Sequence, residues 1–383
     1  MILRGSKFFK GISSFFAVFG LLVFLALAFL FVTNFNGLSS LLTVVGLMKT
    51  ESLYPVHANT MIEGATSGMV DSLNDPYSKY LNKSQWQDLE TQLSAEFGGI
   101  GVYVVETNDG KLAIVSPIKG TPAAEKGLKN GDIITRINDQ STMNMTQDEA
   151  VHLMRGEPGT QLDMAVFRPS DGKEHEFKIV REIINVPSVE DEVIGDSVPI
   201  GYIRLNQFHA HSAQEMADSL NKLNQKNIKG IVLDLRDNGG GDFDAAIAIA
   251  DLFLDDDKVV SDRDYRGNET VYRAEAGSVK LPMVVLVNGN SASASEILSG
   301  ALKDNKRALL VGEKTFGKGL VQTVFPLRDG GALKLTTKKY FTPDGTDINK
   351  IGINPDYVVK NPESGEQDLQ KQRALEILKE QIL

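Results

Sequence analysis

MVVLVNGNSASASEILSGALKDNKRALLVGEKTFGKGLVQ, residues Met283–Gln322, reads as strand, turn, helix, strand and glycine-rich loop. Met283–Val287 is a continuous apolar run with the length and β-branched content of a buried strand. The turn Asn288-Gly289-Asn290 follows, and then serines alternate with alanines at 291–295. Ile297, Leu298, Ala301 and Leu302 recur at helical spacing, which sets the serines where a strand hands over to a helix N-terminus. A second strand, Ala308–Val311, leads into the loop Gly312–Gly319, which carries Lys318 and is followed by Gln322.

A serine at such a turn suits a nucleophile, because free N–H groups and the positive end of the helix dipole stabilise developing negative charge. A hydroxyl also needs a base. The five histidines (His57, His152, His175, His209, His211) all lie upstream, outside any comparable glycine-framed loop. A lysine can serve if burial keeps it neutral, at a cost of roughly 4 kcal/mol near pH 7. The plainer alternative is a capping box, with Ser293 as N-cap and Glu296 at N3, and Lys318 as a solvated loop residue.

Ser291-Ala-Ser-Ala-Ser-Glu296, followed by Phe316-Gly-Lys-Gly-Leu-Val-Gln322, resembles the carboxyl-terminal processing (tail-specific) protease family of serine peptidases. The resemblance implies a Ser–Lys dyad with Ser293 as nucleophile, Lys318 as general base and Gln322 orienting the lysine. The residues alone do not choose among Ser291, Ser293 and Ser295. It also implies an oxyanion hole built from the loop Arg236-Asp237-Asn238-Gly239-Gly240-Gly241, with Gly240 and Ala294 as N–H donors. Gly239 stands where the family commonly has proline. A phosphate cradle is the rival for this loop, but there is no Walker lysine and no G-x-G-x-x-G after the strand Gly230–Leu235.

The insert Phe97–Ile179 is β-rich and resembles a PDZ domain. Its Gly98-Gly99-Ile100-Gly101-Val102 turn stands for the carboxylate-binding loop, and the wording of Thr121–Asn138 strengthens the match. Successive N–H groups in such a loop form a nest for a chain-terminal carboxylate, and the adjoining strand accepts the peptide as an added strand. A small β-barrel without a ligand is the alternative. Arg155 and Arg168 are candidates for coupling the insert to the core, or else are solvated.

Arg4, Lys7 and Lys10 precede an uncharged span that lasts until Lys49, within which Phe15–Val32 is apolar. Composition therefore predicts a single-pass membrane anchor with the catalytic part on the extracytoplasmic side, a cleaved signal peptide being the alternative. The expected fold class is α/β: an N-terminal transmembrane helix, a helical N-terminal segment, an inserted PDZ domain and a crotonase-like α/β serine peptidase core. The expected divisions are 1–35 (cytoplasmic N-terminus and anchor), 36–96 (stalk and helices), 97–180 (PDZ), 181–360 (peptidase core) and 361–383 (C-terminal helix).

Across 383 residues the net charge is −10 with no basic stripe, which argues against a nucleic-acid partner. Absence of cysteine excludes disulfides, thiolate zinc sites and a cysteine nucleophile. The resemblance implies no metal or organic cofactor. It implies protein substrates with unstructured, apolar C-termini, a role for the insert in gating, and leaves open an activator protein or homo-oligomer. Two rivals are a non-catalytic PDZ scaffold at the membrane and acyl chemistry on a small molecule. The complete Ser293/Lys318/Gln322 set argues against the first, and the peptide-binding insert against the second.

Overall fold

The structure, a computed structural model, describes residues 18–26, 28–29, 35–107, 109–195, 198–275, 277–362 and 367–383. The chain divides into two compact units, Met1–Asn74 and Asp75–Leu383.

In the first unit, 18–26 are helical and are followed by helices Phe35–Thr50 and Ala58–Asp71. The expected N-terminal transmembrane helix is corrected here. Among the described residues no helix is long and apolar enough to cross a membrane. Helix Phe35–Thr50, of 16 residues, spans about 24 Å against the roughly 30 Å of a bilayer core. Of the expected span Phe15–Val32, residues 15–17, 27 and 30–32 lie outside the described residues, as does the basic segment before it.

The second unit is built on a sheet in which Ile200–Leu205, Gly230–Asp234, Met283–Val287, Leu309–Gly312 and Tyr357–Val358 run parallel, with Val189–Ile194 antiparallel at one edge. Strand periodicity sorts its side chains onto two faces. Ile231, Leu233, Met283, Val285 and Val287 join the core under helices Ser212–Asn224, Phe243–Asp251 and Ala294–Asp304. Val232, Val284, Leu286 and Val311 meet Ala374, Ile377 and Leu378 of helix Leu369–Ile382 on the other face. Burial on both faces is why these strands read as unbroken apolar runs. Arg236 ties the layers together, pairing with Asp234 at 2.6 Å and with Asp368 at 2.7 Å.

A second sheet runs Lys79–Leu81, Ala332–Phe341, Lys258–Asp264, Glu269–Arg273, with Leu320–Pro326 also paired to Ala332–Phe341. The insert has its own sheet, in which Val102–Glu106, Leu112–Pro117, Ile133–Ile137, Gln161–Arg168 and Lys173–Val180 neighbour one another in that order. Its core is separate, formed by residues such as Ile114, Ile137, Leu162, Met164 and Ile179. The chain enters and leaves the insert through Glu96–Gly99 and Glu182–Asn185, which pair antiparallel. Arg168 is not a coupling residue. It is buried within the insert, with its guanidinium on both Asp132 oxygens at 2.7 Å. Arg155 lies 4.8 Å over the Phe97 ring, at the root of the insert.

Candidate active site

The three serines of the SASAS segment have different surroundings. Ser291 and Ser295 are 0% exposed, and their hydroxyls donate to the Leu235 and Asn238 carbonyls, each at 2.8 Å. They stitch the helix start to the glycine loop. Ser293 is partly buried, its hydroxyl donates to no carbonyl among the described residues, and it lines a cavity of about 510 Å³. Its backbone has φ 56° and ψ −114°, a region that costs a side-chain-bearing residue of order 1–3 kcal/mol. Such a turn lifts the hydroxyl clear of the sheet, as a nucleophile elbow does.

Glu296 closes the expected capping box with Ser293 and does more besides. Its buried carboxylate accepts from the Ser293 N–H at 2.9 Å, the Lys318 N–H at 2.8 Å, the Gly317 N–H at 2.7 Å and the Thr315 hydroxyl at 2.6 Å. Four donors converge on an acceptor-only group. On the opposite side, the buried Tyr340 hydroxyl reaches the Lys318 carbonyl at 2.6 Å and the Ser293 carbonyl at 3.1 Å. Burial, reinforced by Glu296, raises the Tyr340 pKa well above its ordinary value, so this hydroxyl stays a donor.

Lys318 and Gln322 line the same cavity as Ser293, and no histidine does. The glycines framing Lys318 are a packing requirement: a Cβ on Gly317 would lie 2.8 Å from the Gly352 N, and one on Gly319 2.8 Å from the Asn349 N. Burial lowers the Lys318 pKa, Lys334 adds to the lowering, and Glu296 and Asp75 oppose it. The Lys318 amine lies 4.9 Å from the centroid of the Tyr77 ring. Among the described residues no hydrogen bond joins it to Ser293 or Gln322. Gln322 instead points its amide at the Thr336 hydroxyl, 3.4 Å away. Thr336 is in turn held by its N–H donating to the Ser78 hydroxyl at 3.0 Å, and Ser78 donates to Asp75 at 2.6 Å. The Asp75-Pro-Tyr-Ser78 segment therefore borders the site.

The expected oxyanion donors come together incompletely. The Ala294 N–H opens its helix and has no hydrogen bond among the described residues. The Gly240 N–H, by contrast, donates to the Asn238 side chain at 2.9 Å, so this expected donor is occupied. Gly240 has φ 98°, and a Cβ there would stand 2.9 Å from both the Ala294 N and the Ser293 Cβ. Glycine is required by conformation and by proximity alike.

In the insert, Gly99, Ile100, Gly101 and Val102 line a groove of about 270 Å³ with Val151 and Met154 of helix Gln147–Met154. The Ile100 and Gly101 N–H groups donate to no described residue. Gly98 departs from the expectation: it lies in the entry strand, packed against the Gly156 carbonyl, and does not line the groove.

Sequence reasoning missed Tyr77, Lys334 and Tyr340 as site residues and gave Glu296 only a capping role. The spacing of Glu296 within the SASASE segment was a legible signal. The tyrosines and Lys334 come from strands and turns that only tertiary folding brings near.

Known families match three stretches of the chain. Residues 199–359 match Peptidase family S41, 90–166 match the PDZ domain, and 33–85 match the N-terminal domain of the activating protease CtpB. A carboxy-terminal-processing protease of Bartonella bacilliformis is 43% identical over 309 residues, 79% of this chain and 70% of the relative. The carboxy-terminal processing protease CtpA of Bacillus subtilis is 39% identical over 318 residues, 82% of this chain and 67% of the relative. Among solved structures, a photosystem II D1 C-terminal processing protease is 31% identical at a TM-score of 0.51, covering 88% of this chain and 90% of that one. With relatives this similar spanning most of both chains, the protein belongs to peptidase family S41 and is a serine-type peptidase of the carboxy-terminal-processing kind.

Proposed function

We propose that the enzyme cuts protein substrates near their C-termini with Ser293 as nucleophile and Lys318 as general base. The observation that carries this reading is the sorting of the serines: two hydroxyls are bound to carbonyls, while the third faces a cavity shared with a desolvated lysine. Ser293 Oγ attacks the scissile carbonyl as the neutral Lys318 amine takes its proton, and the resulting ammonium protonates the departing amine. Water then hydrolyses the acyl-enzyme by the same route in reverse. The Ala294 N–H holds the oxyanion, and the Gly240 N–H joins it when the Asn238 amide turns away. Gln322 orients the lysine through its amide carbonyl, which the bond to Thr336 leaves free. The groove beside Gly99–Val102 suits an apolar C-terminal residue, with the Ile100 and Gly101 N–H groups facing its carboxylate.

The test uses the full chain with casein and with a peptide ending in apolar residues. Ser293→Ala and Lys318→Ala are each expected to lower kcat at least about 1,000-fold, and a serine-directed phosphonate is expected to label Ser293. Cleavage that survives both substitutions overturns the reading.

A further inference from the structure

The catalytic cavity holds a second ammonium that the proposed reaction does not use. Lys334 lies in strand Ala332–Phe341, with Lys79 as its Cα partner on one side and Val324 on the other. It is half-buried and lines the cavity together with Ser293 and Lys318. Among the described residues, neither Lys334 nor Lys79 has a carboxylate partner. Four residues along the same strand, Lys338 pairs with Asp262 at 2.7 Å. The charges acting on Lys334 are instead cationic: burial lowers its pKa first, and Lys79 lowers it further. Lys334 in turn acts on Lys318 across the cavity.

A half-buried ammonium that faces Lys79 and has no carboxylate partner is in an unfavourable arrangement in the free enzyme. Any anion entering the cavity relieves it, and the cavity is where substrate must enter. The one carboxylate on the cavity wall, Asp242, caps helix Phe243–Asp251 through the Ala245 N–H at 2.7 Å and makes no ion pair with Lys334 among the described residues. A substrate carboxylate at Lys334 would therefore have no ion pair of the described residues to displace.

Building on the proposed Ser293–Lys318 reading, we propose that Lys334, with Lys79 beside it, is a subsite for a carboxylate of the substrate. Two sources carry that chemistry: an acidic side chain close to the scissile bond, and the chain-terminal carboxylate itself when the cut falls near the end.

The experiment compares peptides that differ only by Glu or Gln beside the scissile bond, each with a free or an amidated C-terminus. Binding is read by fluorescence anisotropy in Ser293→Ala, so that it does not depend on the chemistry. Cleavage is read in the enzyme with Ser293 intact. The Glu or free-acid peptide is expected to bind roughly tenfold tighter than its neutral twin, with the difference in cleavage appearing chiefly in KM. Lys334→Met is expected to abolish that preference while neutral peptides are still cut, and Lys334→Arg to keep it. Which pair shows the preference identifies the source. A preference that survives Lys334→Met overturns the subsite. So does the absence of any preference in the enzyme with Lys334 intact, or an equal loss of binding by all four peptides when Lys334→Met is added to Ser293→Ala. Failure of the Ser293–Lys318 reading would show separately, as cleavage persisting in Ser293→Ala.

Discussion

Ser293 and Lys318 share two partners through their backbones, Glu296 and Tyr340. The two N–H groups donate to one oxygen of Glu296, at 2.9 and 2.8 Å, and the two carbonyls face the single hydroxyl of Tyr340, at 3.1 and 2.6 Å. The proposed nucleophile and base lie 25 positions apart in sequence (318 − 293) yet are held as one unit. Neither backbone can shift without loosening a bond that also fixes the other.

Glu296→Gln tests this arrangement. The amide replaces one acceptor oxygen with an NH₂ group facing N–H donors, so at least one buried donor loses its partner. Such a loss costs about 1–3 kcal/mol. Displacement of the serine and lysine by a fraction of an ångström is expected to lower kcat about 100-fold. Thermal unfolding and steady-state kinetics with a peptide substrate measure both effects, and an unchanged kcat would show that Glu296 does not position the pair.

Tyr340→Phe removes one hydroxyl and leaves the ring in its buried place. We expect a loss of about 1–2 kcal/mol of stability and a fall in kcat larger than the change in KM. Because the Tyr340 pKa is raised by burial, no tyrosine limb should appear in the wild-type pH–rate profile at any pH where the fold persists.

The pH dependence of Lys318 has a definite sign. Its folded-state pKa lies below the ordinary lysine value because burial and Lys334 outweigh Glu296 and Asp75. The catalytic limb should therefore rise with pH and level off below the range in which a solvated lysine titrates. Between the lowered pKa and the unfolded value, the unfolded chain binds more protons than the folded one. Stability accordingly rises with pH through that window, and burying the ammonium is destabilising below it. Lys318→Met is expected to be inactive yet at least as stable as the wild type in denaturant titrations at neutral pH. A clear loss of stability in that variant would show that the amine is not desolvated.

Gly240→Ala places a methyl against the Ser293 turn and forces a positive φ on a side-chain-bearing residue. Loss of roughly 100-fold or more in kcat is expected, with a modest fall in Tm. Asn238→Ala makes the complementary test. It frees the Gly240 N–H, so its peptide kcat should fall less than that of Gly240→Ala. The stitching bond from the Ser295 hydroxyl goes to the Asn238 backbone carbonyl and survives this change.

Much of this was legible in the sequence because local pattern and burial agree. Met283–Val287, Gly230–Asp234 and the helix after Ser293 follow from apolar runs and periodicity. The distinction among Ser291, Ser293 and Ser295 did not, since it depends on carbonyls of residues 235 and 238 that lie across the sheet. Gln322 illustrates the same limit: spacing places it beside the lysine loop, but the direction of its amide is set by Thr336, which Ser78 holds from far upstream. The N-terminal expectation failed differently. Hydropathy alone read Phe15–Val32 as a spanning helix, whereas among the described residues no helix is long and apolar enough to cross a membrane.

The paired strands at the root of the insert have a practical consequence. Glu96 and Asn185 are direct cross-strand partners, so the points where the chain departs from the catalytic body and returns to it are neighbours. A two-residue hairpin could join them and excise everything between without reshaping the scaffold. By the same junction, a foreign module whose ends match that spacing could be grafted in, which makes the PDZ insert an exchangeable part.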